Sequence, residues 1–329
     1  MKLRIKEESG FTKLQQLIHS VTEAIDTGVL KEGESLPSVN SLSQETGFSR
    51  DTVFKAYKIL KQQSIIQSTP AKKYFVMSQS FRIFMLLDDF SAFKEQLYRS
   101  FRENLPDAYS VDLLFHHYNA DVFRQLIRNS LGKYSIYIVM NIDNKGIDPV
   151  LKRIDPHKLL VLDMGRSSGH LVSYIIQDFN EAVIKCLNAG LEKIRKYDEL
   201  IMVYSEKETP HPGETAEAFR IFCMGNGIQH RIVPRFQESK LEKGQAYFVI
   251  VEAELVRIIK TCYRSGFTPG LEVGIIAYND SPMKEIAAGG ITVVSTDFVK
   301  MGSLAADFVK SRKKIFEVIP TSLVLRATL

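Results

Sequence analysis

The chain has 329 residues, 45% of them hydrophobic, with 43 basic against 38 acidic side chains and a net charge of +5. That length predicts about two domains, and no stretch approaches the ~18 uninterrupted apolar residues of a membrane-spanning helix. Three cysteines, Cys186, Cys223 and Cys262, lie far apart in helix-like segments, which excludes a disulfide framework or a spaced metal-thiolate site and fits reduced thiols.

The first ten residues, MKLRIKEESG, are charged and contain no apolar signal region, so export is not expected and a cytoplasmic location is. Residues 13–30 read as an amphipathic helix with Leu14, Leu17, Ile18, Val21 and Ile25 on one face, and Thr12 and Gln15 have the spacing of a capping box. Within LPSVNSLSQETGFSRDTVFKAYKIL, residues 36–60, Ser38 can cap a short helix whose Val39, Leu42 and Ser43 face inward, and Gly47 ends it. Ser49 caps a second helix, in which Val53, Ala56, Tyr57 and Leu60 recur at the spacing of one buried face. Two short helices joined by a glycine-containing turn predict a helix-turn-helix. Taken alone, the pattern also fits two surface helices of an α/β protein.

Charge separates those readings. Residues 49–77 contain Arg50, Lys55, Lys58, Lys61, Lys72 and Lys73 against Asp51 alone, so the basic excess of the whole chain resides in this segment. A basic patch on an otherwise balanced protein points to a polyanion. The segment ends in IIQSTPAKKYFVM, residues 65–77, which predicts a β-hairpin with a cationic tip.

These features occur in a specific order: Ile25 with Gly28, Gly33, Leu36-Pro37-Ser38, Leu42, Gly47, Ser49-Arg50 with Thr52-Val53, Ala56, Leu60, Ile65-Ile66 and Val76. In that order they resemble the winged helix-turn-helix of the GntR family of bacterial regulators. Asn40 stands where that family usually carries Arg, and Ala71 and Lys73 replace its wing glycines. The resemblance implies that residues 1–77 bind double-stranded operator DNA, with the start of the second helix in the major groove. The candidate contacts are Ser38, Asn40, Ser49, Arg50, Asp51, Thr52, Phe54, Lys55, Lys72, Lys73 and Tyr74. Arg50 can reach two acceptors on guanine. The lysines supply sequence-independent attraction to phosphate, and Phe54 can touch a thymine methyl or pack on the wing.

From Phe81 onward, apolar runs alternate with helical patterns: FRIFMLL, VDLLFHH, SIYIVMNI, KLLVLDM, VSYIIQ, ELIMVYS, HRIVPRF, AYFVIV, VGIIAYN and ITVVSTD are the strand-like runs. Continuous apolar strands separated by helices predict parallel sheets covered on both faces, either one large doubly wound sheet or two lobes. Residues 271–309 with 319–329 resemble the end of a LacI-type, periplasmic-binding-protein-like domain, through Tyr278-Asn279-Asp280, the segment TVVSTDFVKMG and the terminal Leu323-Val324-Leu325-Arg326. The run LLVLDMGR, residues 159–166, is similar to the hinge side of that family. This resemblance favours two lobes and implies two Rossmann-like parallel sheets over residues 78–329, three crossovers, and a small molecule bound in the cleft.

Ligands of open α/β sheets bind beyond the carboxyl ends of the strands. Asp89, Phe90, His117, Asn141, Asp163, Arg166, Glu252, Asn279 and Asp280 fall there and are the candidate ligand contacts. Carboxylates and amides suit sugar hydroxyls, and the Phe90 ring suits an apolar sugar face. Asp88, Ser91 and Ser205 serve equally well as caps of the following helices. Arg166 is the one obvious cation in the set, which argues against a phosphate. His116, His117 and His211 lack acidic partners at metal-ligand spacing and read as solvated loop histidines, so neither metal nor cofactor is expected. No glycine-rich phosphate fingerprint, nucleophile elbow or paired-His motif is present, and an enzyme is not expected.

The expectation is a cytoplasmic DNA-binding regulator, a repressor of a sugar-utilisation operon relieved by a monosaccharide. It would act as a homodimer with the helix at residues 91–101 contributing an apolar face. The alternatives are a sensor of a phosphorylated sugar or another small metabolite, and a non-regulatory sugar-binding protein.

Overall fold

A computed structural model describes residues 12–26, 28–62, 65–69, 73–77, 81–142, 148–164 and 171–329. The chain divides into two compact units, one comprising Met1–Ile83 with Asp107–Val111 and Gly132–Ser135, the other the remainder.

The first unit contains α1 (Lys13–Asp26), α2 (Val39–Thr46), α3 (Arg50–Gln62) and a hairpin of β1 (Ile66–Ser68) and β2 (Tyr74–Val76). The capping box forms as its spacing predicts: Thr12 N–H donates to Gln15 Oε1 at 2.9 Å, and Gln15 N–H to Thr12 Oγ1 at 3.3 Å. Helix α1 stops four residues short of the amphipathic run because Gly28 adopts φ 72° and Leu30 N–H turns back to Ala24 O at 2.8 Å. Ser38 caps α2 by accepting from Ser41 N–H at 3.1 Å, and Gly47 ends it in the left-handed region at φ 69°. Leu17, Val21, Leu42, Val53, Ala56, Tyr57 and Leu60 form the core beneath the three helices. The Tyr57 hydroxyl donates to Pro37 O at 2.8 Å, satisfying the one polar atom on that apolar face. The strands pair antiparallel with Ile66 opposite Val76, and Lys61 Nζ donates to Ser68 Oγ at 2.8 Å, joining α3 to the hairpin. Three helices and a wing are the predicted winged helix-turn-helix.

From Phe81 the chain runs through β3 (Phe81–Leu87), α4 (Ala92–Glu103), β4 (Tyr109–Phe115), α5 (Ala120–Ser130), β5 (Ile136–Met140), β6 (Leu159–Asp163) and β7 (Ser173–Ile176), most of it in the second unit. A second lobe follows with α6 (Glu181–Ala189), α7 (Leu191–Ile194), β8 (Glu199–Val203), α8 (Glu214–Gly225), β9 (His230–Val233), β10 (Gln245–Val249), α9 (Glu252–Arg264), β11 (Gly274–Tyr278), α10 (Pro282–Ile286) and β12 (Thr292–Thr296). Then come α11 (Phe298–Ser311), β13 (Phe316–Val318) and β14 (Thr321–Val324). The strands form two six-stranded sheets, ordered β13-β7-β6-β5-β3-β4 and β14-β12-β11-β10-β8-β9. In the second sheet β9, β8, β10, β11 and β12 run parallel, and β14 closes the edge antiparallel.

Alternation along the strands explains why this sheet is covered twice. Leu200, Met202, Phe248, Ile276 and Val294 face one way, against α6 and α8 residues such as Leu187 and Phe219. Their neighbours Ile201, Val203, Tyr247, Val249, Ile275 and Val293 face the other way, onto Leu255, Ile258 and Cys262 of α9. The described chain passes between the lobes three times, from β7 to α6, from β12 into α11 and from β13 to β14, as the two-lobed reading implied.

One assembly expectation is corrected. The apolar face of α4 is not left for a second copy, because α11 of the same chain covers it. Leu97 and Phe101 are buried there, Ser100 Oγ donates to Val299 O at 2.7 Å, and Phe93 lies 4.7 Å from Phe298 ring to ring. A Cβ on Gly302 would lie 2.2 Å from Leu97 O, so the helices approach at backbone distance.

Candidate functional site

In the first unit, α3 presents its polar start outward. Ser49 Oγ accepts from Thr52 N–H at 3.1 Å and lies 2.8 Å from Thr52 Oγ1, so both hydroxyls also serve as the cap. Arg50, Asp51, Phe54 and Lys55 are exposed, with Asp51 and Lys55 paired at 2.7 Å. Phe54 is 52% exposed, which leaves part of its ring open for an apolar contact such as a thymine methyl. Ser38, Asn40 and Lys73 are exposed; Tyr74 is half-buried, its ring 4.6 Å from Tyr57. Lys72 and Ala71 lie outside the described residues. Free N–H groups at a helix start, flanked by Arg50 and small hydroxyls, suit an anionic groove.

In the second unit, the carboxyl ends of β3, β4, β5 and β6 bring Asp88, Asp89, His117, Asn141 and Asp163 to one edge of the first sheet. Asp88, Asn141 and Asp163 are buried, Asp89 is partly exposed, His117 is exposed and Phe90 is 70% exposed. Asn141 Oδ1 accepts from Asp148 N–H at 3.3 Å. Arg166 lies outside the described residues. In the second lobe, Glu252 is exposed at the first position of α9, and Asn279 and Asp280 follow β11. Of the six non-glycine residues with left-handed backbone among those described, His117, Tyr118, Asp163 and Asn279 sit at strand ends. Such costly conformations concentrate at binding sites.

The cation count made from sequence needs correction. Lys94 of α4, 4% exposed, bridges Asp88 and Asp89 and donates to the Tyr118 hydroxyl at 3.3 Å. Burial alone would lower its pKa, but the two carboxylates outweigh that and hold it above the ordinary lysine value. Lys284 is also buried and donates to Tyr278 O and Asn279 O, and Arg326 grips Asp280 in two hydrogen bonds of 2.9 and 2.6 Å. Among the described residues, these three cations stand near the strand ends, each engaged by the protein itself. Lys94 was legible in principle: at i, i+3 and i+7 with Leu97 and Phe101 it lies on a buried stripe, where a lysine requires an acid.

The histidines also need correction. His116 is fully buried with Nε2 3.3 Å from Met140 O, and burial lowers its pKa. His211 packs edge-on to Phe179 and Tyr278 with Nε2 2.8 Å from Thr215 Oγ1, and burial lowers its pKa to about 3. Of the three, His117 is exposed, His211 is half-buried and His116 is fully buried. Among the described residues, no group of three His, Cys, Asp or Glu side chains could hold a metal ion.

Asp163 is the most perturbed acid of the rim. Burial, then the neighbouring Asp88 carboxylate, raise its pKa to about 6. A folded-state value above the ordinary 3.8 means that its contribution to stability is fully present below pH 3.8 and is lost as pH rises through about 6. Asp163→Asn is therefore expected to stabilise the protein by about 2–3 kcal/mol at pH 7.5, since each tenfold change in an acid's ionisation equilibrium is worth ~1.4 kcal/mol, with the gain vanishing near pH 4. Urea unfolding at both pH values measures this; an equal effect at the two would show that the charge is compensated elsewhere.

The described residues form a winged helix-turn-helix followed by a two-lobed α/β fold with polar strand ends. Residues 13–76 match the model of the bacterial regulatory proteins of the gntR family. Over 65 residues the chain is 45% identical to the HTH-type transcriptional regulator YjiR of Escherichia coli, covering 20% of this chain and 14% of that one. Over 113 residues it is 32% identical to the mannosyl-D-glycerate transport/metabolism system repressor MngR of the same organism, covering 34% and 44%. The chain thus spans less than half the length of these relatives. The two-lobed part has the fold of LacI-type regulators. The trehalose repressor from Escherichia coli superposes with TM-score 0.61 at 12% identity, covering 75% of this chain and all of that one. A LacI family transcriptional regulator from Lactobacillus casei with bound sucrose gives 0.62 at 12%, covering 75% and 99%. The chain carries a GntR-type winged helix-turn-helix at its N-terminus and a LacI-type two-lobed fold behind it. Among the described residues no helix is long and apolar enough to cross a membrane.

Proposed function

We propose that this chain is a cytoplasmic transcription regulator in which residues 1–77 bind operator DNA and residues 78–329 sense a small molecule and dimerise. The observation that carries the reading is the joining of a GntR-type DNA-binding domain to a two-lobed fold whose strand ends gather Asp88, Asp89 and Asp163. The effector is a neutral monosaccharide and the regulator a repressor relieved by it. Two features support a neutral polyol. Lys94, Lys284 and Arg326 are each engaged by internal partners, so they offer a phosphate little. Ionised carboxylates accept hydroxyl hydrogen bonds roughly twice as strong as neutral ones. Solved neighbours with trehalose and sucrose in their names support the same class. Ligand shifts the protein only by its differential affinity for the DNA-competent and DNA-released states.

The test has two arms. Arg50→Ala should lose about 10–100-fold affinity on selected operator DNA and little on scrambled DNA, as a guanine reader would. Lys73→Ala should weaken both about equally and reduce the salt dependence. A thermal-shift screen of full-length protein against monosaccharides and their phosphates should find a stabilising free sugar, whose effect Asp163→Ala abolishes with operator binding intact. Stabilisation by a sugar phosphate alone would overturn the effector reading, and equal loss on both DNAs would remove Arg50 from base recognition.

A further inference from the structure

Each passage between the lobes carries one polar side chain, buried at Gln177 and Thr296 and half-buried at Thr321. Gln177 follows β7 directly, Thr296 is the last residue of β12, and Thr321 is the first of β14. These three side chains meet. Thr321 Oγ1 and Thr296 Oγ1 are 2.8 Å apart, Thr296 Oγ1 donates to Gln177 Oε1 at 2.6 Å, and Gln177 Nε2 donates to Asp163 Oδ1. Asp163, Gln177 and Thr296 are all buried, so water does not compete for these bonds. The backbone follows the same route, with Gln177 N–H donating to Asp163 O at 2.9 Å and Ile319 N–H to Ile176 O at 2.8 Å.

The polarity of this chain is set by chemistry. A hydroxyl has one proton, and Thr296 gives its own to Gln177, so it must accept the proton of Thr321. A carboxamide has an acceptor end and a donor end. With Thr296 donating at the oxygen, only the amino end remains for Asp163, and an amino end suits a carboxylate. If Asp163 instead donated a proton from Oδ1, the amide would have to turn, Thr296 would have to accept, and its own proton would pass toward Thr321. The bonds reverse together or not at all, and hydrogen bonds aligned in one direction strengthen one another.

We propose that Gln177 is a positioning residue that ties the hydrogen-bonding state of Asp163 in the first lobe to Thr296 and Thr321 in the second. Its use in sensing rests on the reading of the rim as the ligand site: a hydroxyl held by the other oxygen of Asp163 keeps the acid ionised and the chain in its present polarity. The groups that face Asp163 are Asp88 and Asp89 after β3, Lys94 of α4, Tyr118 after β4 and Tyr278 at the end of β11. Asp88 and Asp89 favour the protonated acid and Lys94 the ionised one, while Gln177 links Asp163 by hydrogen bonds to Thr296 of the opposite lobe.

The test titrates the Asp163 carboxyl by carbon NMR in the full chain labelled at aspartate, with the resonance assigned by its loss in Asp163→Asn. No ligand is added. Thr296→Val keeps the shape of the side chain and removes its proton, which frees the amide to turn its oxygen toward Asp163. The Asp163 midpoint should then rise by about half a pH unit or more, the scale of one buried hydrogen bond. Thr296→Ser should restore the wild-type midpoint, and Gln177→Met should raise it further. If Thr296→Val titrates like wild type, or Thr296→Ser shifts as far as Thr296→Val, the link between the lobes is overturned. Failure to find a stabilising sugar would instead overturn the effector reading and leave this result standing.

Discussion

Lys94→Met is expected to lower the unfolding free energy by about 3–5 kcal/mol at pH 7, the usual consequence of removing one partner of a buried ion pair. Methionine fills nearly the same volume, so the loss is electrostatic rather than a cavity. Asp88, 3% exposed, would be left buried without its cation, beside Asp163. The pH dependence has a definite sign. Lys94 has a raised pKa, so its contribution is fully present below the ordinary 10.5 and disappears only as pH rises through the higher folded value. Adding Asp88→Asn and Asp89→Asn to Lys94→Met should recover most of the stability. Urea unfolding of the wild type, Lys94→Met and the triple variant measures this; a deficit below about 1 kcal/mol would place the pair among weak, solvent-screened ones.

Gly302→Ala sets two effects against each other. Alanine gains up to ~1 kcal/mol over glycine in a helix interior. Its Cβ, however, would stand 2.2 Å from Leu97 O and 3.0 Å from Phe101 N, both backbone atoms of α4 that cannot rotate away. Forcing helices apart costs about 1–3 kcal/mol or more, and the loss of the Ser100 to Val299 hydrogen bond adds to it. The expected net result is a loss of about 2 kcal/mol, read by urea unfolding. A stabilised variant would mean that the two helices part easily.

The winged helix was legible almost residue by residue because its determinants are local. Caps at Thr12, Ser38 and Ser49, the stop at Gly47 and the periodicity of Val53, Ala56, Tyr57 and Leu60 depend on neighbours within one or two turns. The strands and helices of the second domain were equally plain, since a strand buried on both faces must be apolar throughout. Strand β13 escaped notice because three residues carry no period, and it acquires its place only by pairing with β7.

The candidate ligand edge was legible as a set of strand ends and not as a set of contacts. Sequence places Asp89, Asp163 and Asp280 after strands, but Asp280 is engaged by Arg326, 46 residues away, and Asp89 by Lys94 of the next helix. The α4 face assigned from its pattern to a second copy meets α11 of the same chain, some two hundred residues later. By itself the sequence determined the order of elements, the two kinds of domain and which positions are polar at strand ends, because these follow from local periodicity and capping. Only the tertiary structure decided which carboxylates are neutralised and which helix faces are covered. It alone brought Gln177 and Thr296 together, 119 residues apart, because hydrogen bonds and ion pairs between distant segments leave no period in the chain.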